Sequence, residues 1–233
     1  TELKIGYDGI VIANAKETAR LDLSKEQIFR ALAKQLPVDG KLADNPNQKW
    51  SDIDPALPDA KIEVYGPPPT SGTRDAFVEL VMEEACGAFP EFKAAFADDD
   101  ARKKACHLMR EDGHYIESGE NDNLIIQKLK SNPQALGIFG FSFLDQNRNA
   151  MQGSLIGGVE PTFDNIADGS YGVSRSLYVY VKDANAGQVK GIKEFARQLV
   201  SDEAAGQDGY LAQKGLIPLQ EEELKTMQAR VDA

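Results

Sequence analysis

Histidine, cysteine and tryptophan are scarce in this chain: two, two and one among 233 residues. With His107 beside Cys106 and His114 apart from both cysteines, no convincing zinc-ligand spacing exists. Basic residues are also outnumbered, 26 Lys and Arg against 37 Asp and Glu, for a formal net charge of −11. Nucleic-acid binding needs clustered Lys and Arg to neutralise backbone phosphates, so it is not expected here. No apolar run approaches the ~20 residues of a membrane-spanning helix. A Walker-type GKS or GKT is missing, as are internal repeats and low-complexity tracts. The chain begins at Thr1 without a signal-peptide pattern, so a processed, trimmed or partial polypeptide is expected. What remains is the composition of an ordinary folded α/β protein, long enough for one large domain or two small ones.

The most informative stretch is GPPPTSGTRDAF, Gly66 to Phe77. It follows the strand-like run 61–65 and leads into Phe77, Val78, Leu80, Val81 and Met82, spaced for the buried face of a helix. The prolines cannot serve as interior ladder residues, so the strand should stop near Gly66. Ser71, Gly72 and Thr73 then fall at the helix start, with Arg74 and Asp75 in its first turn. Unpaired backbone N–H groups and the positive end of the helix dipole converge there. Gly72 lets a ligand approach the backbone, two hydroxyls add hydrogen bonds, and Arg74 adds a fork-shaped cation. Such a place suits an oxyanion such as phosphate. The plainer alternative is that Ser71 and Thr73 merely cap a helix. Global acidity does not oppose an anion, because surface charges beyond about 10 Å are screened while the local donors are not.

Along the rest of the chain, Leu3 to Ala13 reads as a strand pair or one long strand with a Gly-rich break at Gly6 to Gly9. Ser24 caps a helix, Gln27 completes a capping box, and Ile28, Phe29, Leu32 and Leu36 form the inner face up to Pro37. Residues 39–58 read as a polar loop with Trp50 packed under it. Residues 91–109 read as one helix, with Phe92, Ala95, Phe96, Ala105 and Met109 available for burial. Asp98 to Asp100 reads as a solvated helix start rather than a metal site. A helix over 121–130, a buried strand over 136–143, a strand over 177–181, and closing helices over 189–200 and 203–211 complete the pattern. Strands alternating with helices favour an α/β fold with a largely parallel sheet, whose strand-to-helix loops bind ligands. Cys86 and Cys106 lie toward the ends of helical segments. They form either a disulfide, in an oxidising compartment, or two unrelated buried thiols.

Several of these segments resemble one family, the phosphate-binding receptors of ABC-type phosphate uptake systems, in the type II periplasmic-binding-protein fold. GYDGIVIA (6–13) resembles the segment where that family's chain first crosses between lobes. LSKEQIFRAL with KWSDID resembles the helix and Trp loop that follow. SGTRDAF (71–77) resembles its phosphate loop, GENDN (119–123) the next ligand-facing turn, ALGIFGFSF a core strand, and SRSLYVYVK the return strand. The matches run in family order over nearly the whole chain.

The resemblance implies two α/β lobes with a hinge. A complete middle lobe would span 11–170, and residues 1–10 with 171–233 would form the C-terminal part of the other. Family members carry further residues ahead of the GYDGIV-like segment, with a first strand, a Ser/Thr-rich loop and the Asp that accepts the proton of hydrogen phosphate. None of these can be located here, so that part is expected to be missing or supplied by another polypeptide. Carried over residue by residue, Ser71, Gly72, Thr73 and Arg74 are the implied phosphate ligands. Asp75 is expected to orient Arg74 or offset the helix dipole. Glu120, Asn121 and Asn123 are further ligand-facing candidates or a helix cap, and Tyr7 and Asp8 lie near the hinge as candidates to face the cleft, Asp8 as a further ligand-facing residue.

The implied function is a monomeric periplasmic receptor that delivers inorganic phosphate to ABC permease subunits, without cofactor, metal or enzymatic activity. The alternatives are another oxyanion (sulfate, molybdate or an organic phosphate) and a scavenger or sensor without a transporter.

Overall fold

The computed structural model describes residues 1–232. The chain forms two compact units, Ile10–Pro161 and Thr1–Gly9 with Thr162–Ala233. β1 (Glu2–Ala15) is one continuous strand whose first half belongs to the smaller unit and whose second half belongs to the larger. Its Gly-rich stretch absorbs a register shift between Lys4 and Gly6 instead of breaking the strand. Gly6 is required there because a Cβ would run into the backbone carbonyl of Ile217.

In the larger unit, short β2 (Asp22–Leu23) precedes the Lys25–Leu32 helix, whose Ser24–Gln27 capping box is present as expected. That helix ends at Leu32 and does not continue to Pro37. Instead β3 (Gln35–Val38) and β4 (Lys41–Asp44) form a hairpin containing both Leu36 and Pro37. The cause is the two-residue turn at Asp39 and Gly40, both at positive φ, a geometry that matches the twist of paired strands. The polar stretch 39–58 is therefore not all loop. Trp50 is buried as anticipated, but within a one-turn helix, Trp50–Ile53.

β5 (Val64–Gly66), β6 (Tyr115–Glu117) and β7 (Leu136–Gly140) pair in parallel, with β5 in the middle. β7 pairs antiparallel with β1, whose end also pairs antiparallel with β8 (Met151–Gly153). β9 (Leu155–Ile156) pairs with β2. The apolar run after 136 leaves the sheet at Gly140 and becomes the Phe141–Gln146 helix, because a short buried run suits either element. The expected 91–109 helix is two helices, Pro90–Ala95 and Asp99–His107. They separate where Phe96 is extended and the Asp98 carboxylate accepts the Ala101 amide at 2.8 Å. Ala95 is exposed rather than buried.

The helix after the SGTR segment runs as Gly72–Phe77, a π-turn at Val78–Glu83 and Glu84–Cys86. It buries Phe77, Val78, Val81 and Met82, and its π-turn packs against the Lys25–Leu32 and Asp99–His107 helices. Phe29, Phe89 and Phe92 pack ring to ring at 5.2 and 5.7 Å. Of the two readings of the cysteines, the disulfide is the one present. Cys86 and Cys106 are bonded, with Cα atoms 5.8 Å apart, and tie the end of this helix to Asp99–His107.

In the smaller unit, the first half of β1 pairs antiparallel with β10 (Ser174–Tyr180). Its core is Leu3, Ala196, Val200, Ala205, Leu219, Leu224 and Met227. The closing helices are shorter than the apolar pattern suggests. Gly191, at φ 91°, starts Ile192–Leu199, and Asp202–Ala205 stops at Gly206, where a Cβ would strike the Asp202 carbonyl. The terminal helix Glu221–Asp232 had no counterpart in the sequence reading.

Candidate functional site

Because β5, β6 and β7 are parallel, their carboxyl ends lie along one edge of the sheet. β5 and β6 lead through loops into Gly72–Phe77 and Asp122–Ser131, and β7 runs directly into Phe141–Gln146. Such an edge is where open α/β sheets bind ligands.

The strand stops at Gly66, and the proline-rich loop turns through the Ser71 amide, which donates to the Pro68 carbonyl at 3.0 Å. Ser71 is the N-cap: its Oγ accepts the Thr73 amide at 3.2 Å. The residue expected to bind an anion is thus also the helix cap. One expected anion donor, the Thr73 amide, already has an internal partner. Among the described residues the Thr73 hydroxyl makes no hydrogen bond within the protein.

Arg74 is only 9% exposed. Its Nη1 donates to the Pro67 carbonyl at 3.3 Å, and its guanidinium lies 4.8 Å from the centroid of the Tyr115 ring. Among the described residues, no carboxylate lies within ion-pair reach of it. Asp75 is exposed and does not pair with Arg74, so its role reduces to opposing the helix dipole. Tyr115 also donates its hydroxyl to the Pro67 carbonyl, at 2.7 Å. Burial pushes the Tyr115 phenol up to about 12, with the Arg74 charge pulling the other way.

Gly66 completes this packing, since a Cβ there would overlap the Tyr115 ring and hydroxyl. Gly66→Ala should therefore destabilise the protein by about 1–3 kcal/mol, the usual cost of overpacking, measured by denaturant unfolding. Unchanged stability would mean that Tyr115 can move aside.

The second loop is tied to the first by the Thr70 hydroxyl, which donates to Glu120 at 2.6 Å. Asn121 caps the Asp122–Ser131 helix by accepting the Asn123 amide at 3.0 Å, and Asp122, buried, accepts the Gly140 amide at 3.0 Å. The three strand-to-helix junctions are thus linked in series. Of the sequence-nominated residues, Ser71, Gly72, Thr73, Arg74, Glu120, Asn121 and Asn123 all lie on this edge of the larger unit.

Tyr7 and Asp8 belong to the smaller unit. Asp8 faces Arg175 at 3.5 Å; burial raises its carboxyl and the Arg175 charge opposes that. Tyr7 donates to Glu223 at 2.6 Å, and its phenol is raised by burial and by that carboxylate. Sequence reasoning missed Thr70, Tyr115 and Asp122. Asp122 carried a signal as the acidic residue inside Asn-Asp-Asn at a helix start, whereas Tyr115 carried none.

Beside Arg74 lies a cavity of about 500 Å³, lined by Arg74, Val78, His107, Met109, Arg110 and Tyr115. The Arg110 guanidinium is held by the Asp112 carboxylate and by the carbonyls of Ala31 and Asn47. His107 faces Glu83 at 2.9 Å, and His114 sits between the Ile62 carbonyl and Gln48. Neither histidine bonds Ser71, whose oxygen serves the cap. The residues on this edge offer hydroxyls and one buried cation to an oxyanion, while the carboxylates of Glu120 and Asp122 are occupied by the Thr70 hydroxyl and the Gly140 amide.

Comparison with known proteins matches residues 1–203 to the PBP superfamily domain. The chain belongs to that superfamily. Among family relatives, the phosphate-binding protein PstS of Staphylococcus saprophyticus is 27% identical over 237 residues, 99% of this chain and 61% of the relative. The chain therefore spans less than two thirds of that relative's length. A solved structure described as a possible phosphate binding protein from Planctomyces limnophilus has a TM-score of 0.72 at 22% identity. It covers 100% of this chain and 72% of that one. A candidate phosphate ABC transporter substrate-binding protein from Clostridium perfringens, solved with bound phosphate, has a TM-score of 0.64 at 26% identity over 94% of this chain and 72% of that one. The fold is that of the type II periplasmic binding proteins, as the sequence resemblance implied.

Proposed function

We propose that the chain is the phosphate-binding part of a receptor that delivers inorganic phosphate to the permease of an ABC-type uptake system. The observation that carries this reading is the SGTR segment at the carboxyl edge of three parallel strands. There a nearly buried Arg74, with no carboxylate partner among the described residues, follows Ser71 and Thr73 in the first turn of the helix. A buried cation without a counter-ion is costly unless an anion completes it. The relatives are named as phosphate-binding proteins, which supports the same ligand.

In this reading Ser71, Gly72, Thr73 and Arg74 hold the anion. Gly72 admits it to the helix start because it has no side chain. Glu120, Asn121 and Asn123 are further ligand-facing residues on the same edge. The chain acts as a monomer outside the inner membrane and performs no chemistry. Residues that its relatives carry beyond the matched span are proposed to complete the receptor.

The test is a calorimetric titration of phosphate into the phosphate-stripped chain, repeated in excess sulfate. Saturable heat that sulfate does not suppress is expected. Absence of heat would remove phosphate binding by this chain, and suppression by sulfate would recast it as a general oxyanion receptor.

A further inference from the structure

We infer that Tyr115 is a positioning residue for the proposed anion site, holding the Arg74 guanidinium through its ring and the Pro67 carbonyl through its hydroxyl. The inference rests on the phosphate reading and adds to it a residue outside the SGTR and GENDN segments.

Three observations meet at this point. The guanidinium carbon of Arg74 lies 4.8 Å from the centroid of the Tyr115 ring, within cation–π range. Both side chains donate to one acceptor, the Pro67 carbonyl, Tyr115 at 2.7 Å and Arg74 at 3.3 Å. Gly66 stands where any Cβ would collide with the Tyr115 ring and hydroxyl. Pro67 is the first residue after β5, so the two bonds to its carbonyl pin the root of the loop that carries Ser71 and Thr73. An arginine side chain has several rotatable bonds, and immobilising such a side chain on binding costs affinity. The ring and the shared carbonyl restrict Arg74 before the anion arrives.

The register of the sheet fixes this arrangement. Val64 pairs with Tyr115, so the Tyr115 side chain starts level with the beginning of β5 and reaches along it to the loop root. A purely structural tyrosine at this place would fill space. A positioning tyrosine acts through Arg74, and the two roles differ in their coupling.

The test is a double-mutant cycle on phosphate affinity, read by calorimetry, with Tyr115→Leu, Arg74→Ala and the pair together, and with Tyr115→Phe as the conservative variant. Tyr115→Leu should weaken phosphate binding by about tenfold, within the range of a desolvated cation–π contact. Tyr115→Phe, which keeps the ring, should recover most of that loss. The double variant should bind no more weakly than Arg74→Ala alone, because the ring has nothing left to hold. Additive losses would overturn the inference and assign Tyr115 to packing. A second readout needs no ligand: the Arg74 side-chain N–H resonance should carry a ring-current shift in the unmodified chain and lose it in Tyr115→Leu. Absence of that shift would overturn the inference alone. An unmodified chain that shows the shift but binds no phosphate would overturn the receptor reading, and with it the role assigned here.

Discussion

Arg74→Ala is expected to weaken phosphate binding by tenfold or more. Hydrogen bonds to charged groups contribute about 1.5–3 kcal/mol each, and about 1.4 kcal/mol is a factor of ten, so loss of a single charge-assisted donor suffices. The site offers no replacement. Among the described residues the other cation on the adjoining cavity wall, Arg110, is bound to Asp112 and to two backbone carbonyls. Arg74→Lys should fall between the two, since an ammonium keeps the charge but cannot both reach the Pro67 carbonyl and present a flat fork to an anion. The unliganded protein should lose little stability on Arg74→Ala, because the substitution removes a buried charge that has no carboxylate partner. Near-unchanged affinity for phosphate would take Arg74 out of the site.

Breaking the Cys86–Cys106 bond should have the largest effect on stability. The bridged residues are 20 apart in sequence, and closing a loop of that size stabilises by about 3 kcal/mol, mainly by restricting the unfolded chain. Replacing both cysteines by serine, or unfolding under reductant, should lower the denaturant midpoint accordingly with little change in its slope. Both positions are buried, so serine adds the cost of two hydroxyls, and the comparison under reductant isolates the cross-link itself. Phosphate affinity should change far less than stability, because the bond closes the end of the helix remote from Ser71. A midpoint that reductant does not move would show that the cross-link adds nothing to the folded chain.

What could be read without coordinates was whatever depends on neighbours a few residues apart. The Ser24–Gln27 capping box, the Ser71 cap, the end of the strand at Gly66 and the start of a helix at Asn121 all follow from backbone and side-chain groups within one turn. Errors arose where one local pattern suits two elements. Leu36 fits the periodicity of the preceding helix, but Asp39-Gly40 turns the chain back into a hairpin, and turn chemistry prevailed over period. Phe141 to Phe143 continue an apolar run, yet the pairing of β7 with β1 ends at Gly140. The Asp98 cap divided what apolar content alone presented as a single helix.

Chain-local chemistry thus determined that residues 71–74 present hydroxyls, a backbone without a side chain at Gly72 and a cation at a helix start. Their surroundings were left to the tertiary structure, because strand pairing joins residues distant in sequence and leaves no periodic trace. The parallel pairing of β5 with β6 brought the Tyr115 hydroxyl onto a carbonyl 48 positions away, and the Thr70 hydroxyl onto Glu120, 50 positions away. Burial of Arg74 followed from the same pairing. An arginine in the first turn of a helix would by default extend into water, and here a tyrosine from the neighbouring strand gives it a face to lie on.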